Sequence, residues 1–278
     1  MWMAEGGDHQ ELADWATKAA CAALPGVDIE IFWDGMWARR VGACYFPDPE
    51  MFRIAEPNWQ RWAGQAEKYL RDAQDYWMHV YQPGVGDVVV DIGAGRGEDV
   101  FAFSRAVGHT GTVFAVEPHP VSFSVLEKFC ELNGLGNVRL LNRACLDRRE
   151  MMQIETLSVW ESNYVRTGEK SETSFGVEGV RFDDLCEEAG IGRIDFLKMN
   201  IEGAERWALP GCRGALQRAR CVCVAAHDFR AARGEGEEFR TLSMVREFLG
   251  ECGFEVSTRD DDPRYYVPYH VHGTRRVL

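Results

Sequence analysis

Nowhere in the chain do about 18 apolar residues follow one another, so no membrane-spanning helix is expected. Runs of lysine and arginine are missing too. With a net charge of −13 and only short basic pairs such as Arg39-Arg40 and Arg148-Arg149, which read as solvated surface, a nucleic-acid backbone is a poor partner. The nine cysteines have no metal-ligand spacing, and Cys221-Val222-Cys223 alternates along a strand instead of forming C-x-x-C. Neither a zinc site nor a disulfide framework follows, and a reducing cytoplasm is the expected home. Met1 to Glu5 shows no basic region ahead of an apolar core, so no export signal is expected. With 278 residues, 46% of them hydrophobic, the chain suits one sizeable α/β core plus an appendage.

One more absence is informative. Val88-Val89-Val90 leads directly into Asp91-Ile92-Gly93-Ala94-Gly95-Arg96-Gly97, a glycine loop that opens a helix at Glu98. This is the build of a nucleotide-cofactor pocket at the carboxyl end of a parallel strand. The dinucleotide fingerprint G-x-G-x-x-G would need glycine at 98, where glutamate stands. Glu98 and Asp99 would also repel a pyrophosphate docking on that helix end. A cofactor without phosphates fits better, and S-adenosylmethionine is one. Asp91 is then expected near its ammonium, with Gly93, Ala94 and Gly95 admitting the methionine portion.

Two further strands agree. Gly111 to Val116 ends in Glu117, about 20 residues beyond the glycines, where an acid accepts both ribose hydroxyls, and His119 borders the ribose. Val138 to Leu141 ends in Asn142-Arg143-Ala144, polar and small groups suited to an adenine edge. Helical apolar spacing follows at Val100, Phe101 and Val107, and again from Val121 to Leu132. A fifth strand is expected at Cys221 to Ala226, a helix near Glu237 to Cys252, and a terminal hairpin from Glu255 to Thr258 and Tyr265 to His270.

A fourth strand, Ile194 to Met199, runs into the charged block Asn200-Ile201-Glu202-Gly203-Ala204-Glu205. With DIGAGRG at 91–97, VEPHP at 116–120, NRA at 142–144, VRFDDL at 180–185 and DFLKMNIEGAE at 195–205, the chain resembles the FkbM family of S-adenosylmethionine-dependent methyltransferases over roughly residues 80 to 255. The resemblance implies a class I methyltransferase-like (Rossmann-like) α/β three-layer sandwich with a mostly parallel seven-stranded sheet. It also implies O-methylation of a hydroxyl on a small molecule such as a polyketide or sugar. Asn200 stands where the family usually has aspartate. An amide neither takes a proton nor gives a metal a carboxylate, so no metal is expected, although Asn200 can still hydrogen-bond cofactor or substrate.

For the reaction itself, His227 follows the fifth strand and has the pKa of a general base, with Asp228 or Glu202 orienting it or sharing its charge. The plain alternative is a strand-end histidine bonded to backbone. Lys198 and Glu202 are equally readable as an ion pair or as substrate contacts. His79, His109, His270 and His272 lack motif context and read as structural or solvated. Residues 81–278 form the expected cofactor-binding domain, with an insertion at about 151–180. Residues 1–80 form an α/β cap holding seven of the nine tryptophans: Trp2, Trp15, Trp33, Trp37, Trp59, Trp62 and Trp77. Asn58 to Val80 has helical spacing, and Ile29 to Phe46 reads as a hairpin turning at Asp34-Gly35. These aromatics pack as a cap or line a substrate lid, with Trp33 and Trp37 as the lid candidates. Two other readings stay open: a protein that binds S-adenosylmethionine without turning it over, and an NAD-linked oxidoreductase. The subunit number is open as well, a homodimer included.

Overall fold

The computed structural model describes residues 9–49, 59–155, 165–166 and 174–275. Trp2, Asn58, the chain start and much of the expected insertion lie outside them. The N-terminal part comprises helix α1 (His9–Ala23), strands β1 (Ile29–Trp33), β2 (Trp37–Val41) and β3 (Cys44–Asp48), and helix α2 (Gln65–Tyr76). The central α/β core begins with β4 (Val88–Ile92), α3 (Glu98–Val107), β5 (Thr112–Val116), α4 (Pro120–Leu132) and β6 (Val138–Leu141). There follow β7 (Ala144–Leu146), β8 (Glu150–Glu155), β9 (Val165–Arg166), β10 (Ser174–Arg181), α5 (Phe182–Glu188) and β11 (Ile194–Met199). The chain closes with α6 (Glu205–Ala208), α7 (Arg213–Arg218), β12 (Ala219–Ala225), α8 (Asp228–Ala232), α9 (Leu242–Glu251), β13 (Glu255–Ser257) and β14 (His270–Thr274).

Seven strands form one sheet in the order β13-β14-β12-β11-β4-β5-β6, in which β14 pairs antiparallel with both of its neighbours. Strand alternation sends side chains to two cores. Val90, Ile92, Leu197 and Met199 meet Phe182, Leu216, Val245 and Leu249 on one face. Val89, Val113, Phe196 and Cys223 meet Val100, Phe103, Ala73 and Trp77 on the other. Both faces are therefore covered, as a parallel sheet with apolar central strands requires. The chain reverses its direction of travel across the sheet at β4, where β5 lies on one side and β11 on the other. A crevice opens at the carboxyl ends of strands at such a switch point.

Several expected elements take a different form. The 29–46 segment is a three-stranded antiparallel meander, because Gly42 at φ +57 makes a second turn after Asp34-Gly35. The long helix before the core is short: a 3₁₀ turn at Trp59–Arg61 precedes α2. Within Tyr265 to His270, Val267–Tyr269 form a 3₁₀ turn, and the last strand starts only at His270. Strands β7, β10, β8 and β9 make a second, four-stranded sheet where the insertion was expected. Arg39 is not surface. Its guanidinium is buried over Trp62, 4.6 Å from the ring centroid, and bonds Gln65 Oε1 at 2.6 Å. Arg148 and Arg149 do lie in exposed ion pairs. All nine cysteines are free thiols, and all but Cys21 are buried.

Candidate active site

The backbone shapes the loop first. Gly93 and Ala94 donate their N–H groups to Val116 O at 2.9 and 3.0 Å, which folds the loop over the end of β5. Gly93 has φ +81, and a Cβ there would lie 2.0 Å from Asn200 O, so no larger residue fits between β4 and β11. Gly97 caps α3 at φ +103, with Glu98 and Asp99 complementing the helix dipole.

A cleft of about 350 Å³ sits on this loop. It is lined by Gly93, Ala94, Gly95 and Lys198, by Glu117, His119, Arg143 and Ala144 around the ends of β5 and β6, and by Asn200 and Glu202 after β11. Glu117 Oε2 accepts from Gly95 N–H and Oε1 from His119 N–H, each at 2.9 Å. Burial pushes this carboxyl up to about 7, against the pull of those two donors. His119 caps α4, its Nδ1 accepting from Ser122 N–H at 3.4 Å. Asn142 does not line the cleft; its amide donates to Glu117 O at 2.8 Å and braces the turn after β5.

Asp91 also differs from expectation. It is wholly buried and absent from the cleft lining, and its Oδ1 lies 2.7 Å from Lys198 Nζ. Burial raises the Asp91 pKa above the usual carboxylate range, with Lys198 the main opposing influence. Burial also opposes the Lys198 charge, but Asp91 and Asp99 outweigh it and keep the ammonium protonated.

After β11, Glu202 adopts φ +56, the one positive φ outside glycine among the described residues. Its carboxylate bonds Arg230 Nη1 at 2.8 Å and lies 3.3 Å from His227 Nε2. His227 Nδ1 faces Glu205 Oε1 at 3.1 Å, and Glu205 in turn accepts from Thr241 Oγ1. Burial works against a charge on this imidazole, yet Glu205 and Glu202 hold its pKa at about 10. Burial likewise pushes Glu202 up, but His227 and Arg230 leave its pKa lowered.

These contacts set His227 apart from the general-base expectation: it is buried between two carboxylates that favour its charged form, and it does not line the cleft. Asp228 does not orient it. Its Oδ2 accepts from Thr241 and Leu242 N–H, both at 2.8 Å, and caps α9. The lid candidates are also displaced: Trp37 is buried in the N-terminal cluster, Trp33 stacks on His9, and neither lines the cleft. The aromatics that do line it are Tyr69, Tyr76 and Trp77, from α2 and the residue after it. The helical spacing of Tyr69 and Trp77 was visible in sequence; which face met the cleft was not.

The sheet order, the glycine loop at its switch point and the acid after the second strand define a class I methyltransferase fold. The model of the family described as "Methyltransferase FkbM domain" matches residues 91–256. The chain belongs to the FkbM methyltransferase family and is an S-adenosylmethionine-dependent methyltransferase. It is 29% identical over 253 residues to the 31-O-demethyl-FK506 methyltransferase FkbM of Streptomyces tacrolimicus, covering 77% of this chain and 92% of that one. Against the 2-O-methyltransferase NoeI of Sinorhizobium fredii it is 24% identical over 177 residues, covering 58% and 72%. The solved methyltransferase FkbM of Methylobacillus flagellatus KT shares the fold, with a TM-score of 0.51 and 14% identity. That match covers 79% of this chain and 53% of the other. Among the described residues no helix is long and apolar enough to cross a membrane.

Proposed function

We propose that the enzyme transfers the methyl group to a hydroxyl oxygen of a small molecule, a natural product or sugar. The observation carrying this reading is a cleft lined both by the glycine loop and by Asn200 and Glu202. The names of the two relatives, both O-methyltransferases, point the same way. The net charge of −13 favours a small acceptor over a nucleic acid. Buried free thiols suit a reducing compartment such as the cytoplasm.

The residues fit the cofactor: each Glu117 oxygen keeps a lone pair beyond the N–H it already accepts, enough for two ribose hydroxyls. When bound, S-adenosylmethionine supplies a methyl group activated on a sulfonium. The protein's own contribution is alignment and exclusion of water, with Tyr69, Tyr76 and Trp77 closing over the cleft. At the acceptor side, Glu202 is an ionised carboxylate that accepts a hydrogen bond from the hydroxyl, and the Asn200 amide can donate or accept beside it. With His227 held as imidazolium, Glu202 orients the hydroxyl without a neighbouring neutral imidazole.

Incubating the enzyme with methyl-labelled cofactor and a set of hydroxylated natural products tests the reading. A labelled methyl ether is expected; label on nitrogen or carbon, or none on any small molecule, overturns it.

A further inference from the structure

The family block contributes a lysine that the methyl transfer outlined above does not use. Lys198 is 1% exposed in the middle of the sheet, yet it lines the cleft. Three acceptors surround it: Asp91 Oδ1 at 2.7 Å, Gly93 O at 2.9 Å and Asp99 Oδ2 at 3.3 Å. The ammonium donates a hydrogen bond to Gly93 O and is ion-paired with the two carboxylates, so its charge is engaged by the loop and its flanks. Trp77 covers the fourth side, its ring centroid 5.1 Å from Nζ, and stacks in turn on His270 at 4.6 Å.

The three acceptors belong to the end of β4, the glycine loop and the first turn of α3. The loop is thereby held from both flanks: its N–H groups by Val116 O of β5, its Gly93 carbonyl by Lys198 of β11. Glu117 lies on the β5 flank, where the ribose is assigned, so a ligand crossing β4 carries its amino-acid end toward Gly93, Asp99 and Lys198. On the reading that the cleft holds S-adenosylmethionine, we infer that Lys198 is a positioning residue for the amino-acid end of the cofactor, acting through the Gly93 carbonyl and Asp99, with Trp77 of the N-terminal region as its cover. Asp91 is then the buried counter-charge of Lys198, not the receptor of the cofactor's ammonium.

Three probes separate this role from simple support of the fold: S-adenosylmethionine, S-adenosylhomocysteine and 5′-methylthioadenosine, which keeps the nucleoside and lacks the amino acid. Calorimetry on Lys198→Met should show affinity for the first two falling about ten- to a hundred-fold, the range for a lost charged hydrogen bond, with methylthioadenosine affinity unchanged. Because Lys198→Met strands a buried carboxylate, Lys198→Met/Asp91→Asn is measured beside it. The double variant should recover thermal stability and still bind S-adenosylhomocysteine weakly. Asp99→Asn, at the partly exposed edge of the cluster, should keep the fold and show a milder loss with the same selectivity. Equal losses for all three probes, or wild-type S-adenosylhomocysteine affinity in the double variant or in Asp99→Asn, overturn the inference. A wild-type protein that binds neither S-adenosylmethionine nor S-adenosylhomocysteine overturns the cofactor assignment itself.

Discussion

Glu117 is a carboxyl whose neighbourhood decides when it can act. Burial lifts it to about 7, so near neutral pH it is only partly ionised, and the carboxylate form is the better acceptor for two ribose hydroxyls. Cofactor affinity is therefore expected to rise as pH increases through 7. In Glu117→Gln the affinity should fall about ten-fold at pH 8 and lose this pH dependence, read by calorimetry across pH 6 to 8. His227 makes the opposite kind of statement. Its folded pKa is raised from 6.5 to about 10, so its stabilising contribution is complete below 6.5, declines above it and is lost as pH passes 10. Replacing His227 with glutamine leaves Glu202 and Glu205 facing each other without the cation, a loss of about 3 kcal/mol for a broken buried pair. The gap in unfolding free energy between the two proteins should narrow from pH 6.5 to 10; a gap constant in pH would contradict the charged state. Sequence placed His227 correctly at the end of β12 but could not give its protonation. The two carboxylates that set it come from a turn and a short helix more than 20 positions earlier.

The strand-to-helix connections carry the cofactor chemistry because each is short and stiff. Gly93 is the tightest of them. Alanine there meets both a left-handed backbone and Asn200 O at 2.0 Å, so β4 and β11 would have to separate. Gly93→Ala should lower the melting temperature and abolish calorimetric binding of S-adenosylmethionine, whereas Gly134→Ala, at a left-handed turn with open space around it, should cost stability alone. The core strands were legible because they are apolar runs ended by glycine, proline or charge. The last strand was misplaced because Tyr265, Tyr266 and Val267 look β-like locally, while the chain needs them for a turn that brings Tyr266 Oη to within 2.8 Å of Tyr76 Oη.

The N-terminal region behaves as part of the molecule's core. Phe46 of β3 packs with Phe129 of α4 at 6.3 Å between centroids, and Asn133 exchanges hydrogen bonds with both the N–H and C=O of Tyr45. Asp75 of α2 is bound by Arg259 and Arg264, and Trp77 sits in the same core cluster as Val89 and Phe196. A protein beginning at residue 81 should thus be insoluble or molten, as judged by near-ultraviolet circular dichroism. In the full chain, Phe46→Ala should cost about 3 kcal/mol of stability. A well-folded truncation that binds cofactor normally would show instead that 1–80 is a detachable cap.

The amino-acid sequence alone decided the class of the molecule: strand, glycine loop and acid follow in a fixed order, and the period of the apolar residues assigns the core segments to sheet or helix. Those signals are local, spanning a few residues each. What Asp91, Lys198, Glu202 and His227 do to one another was settled only by the fold, because charge state depends on burial and on partners brought within about 3 Å from distant parts of the chain.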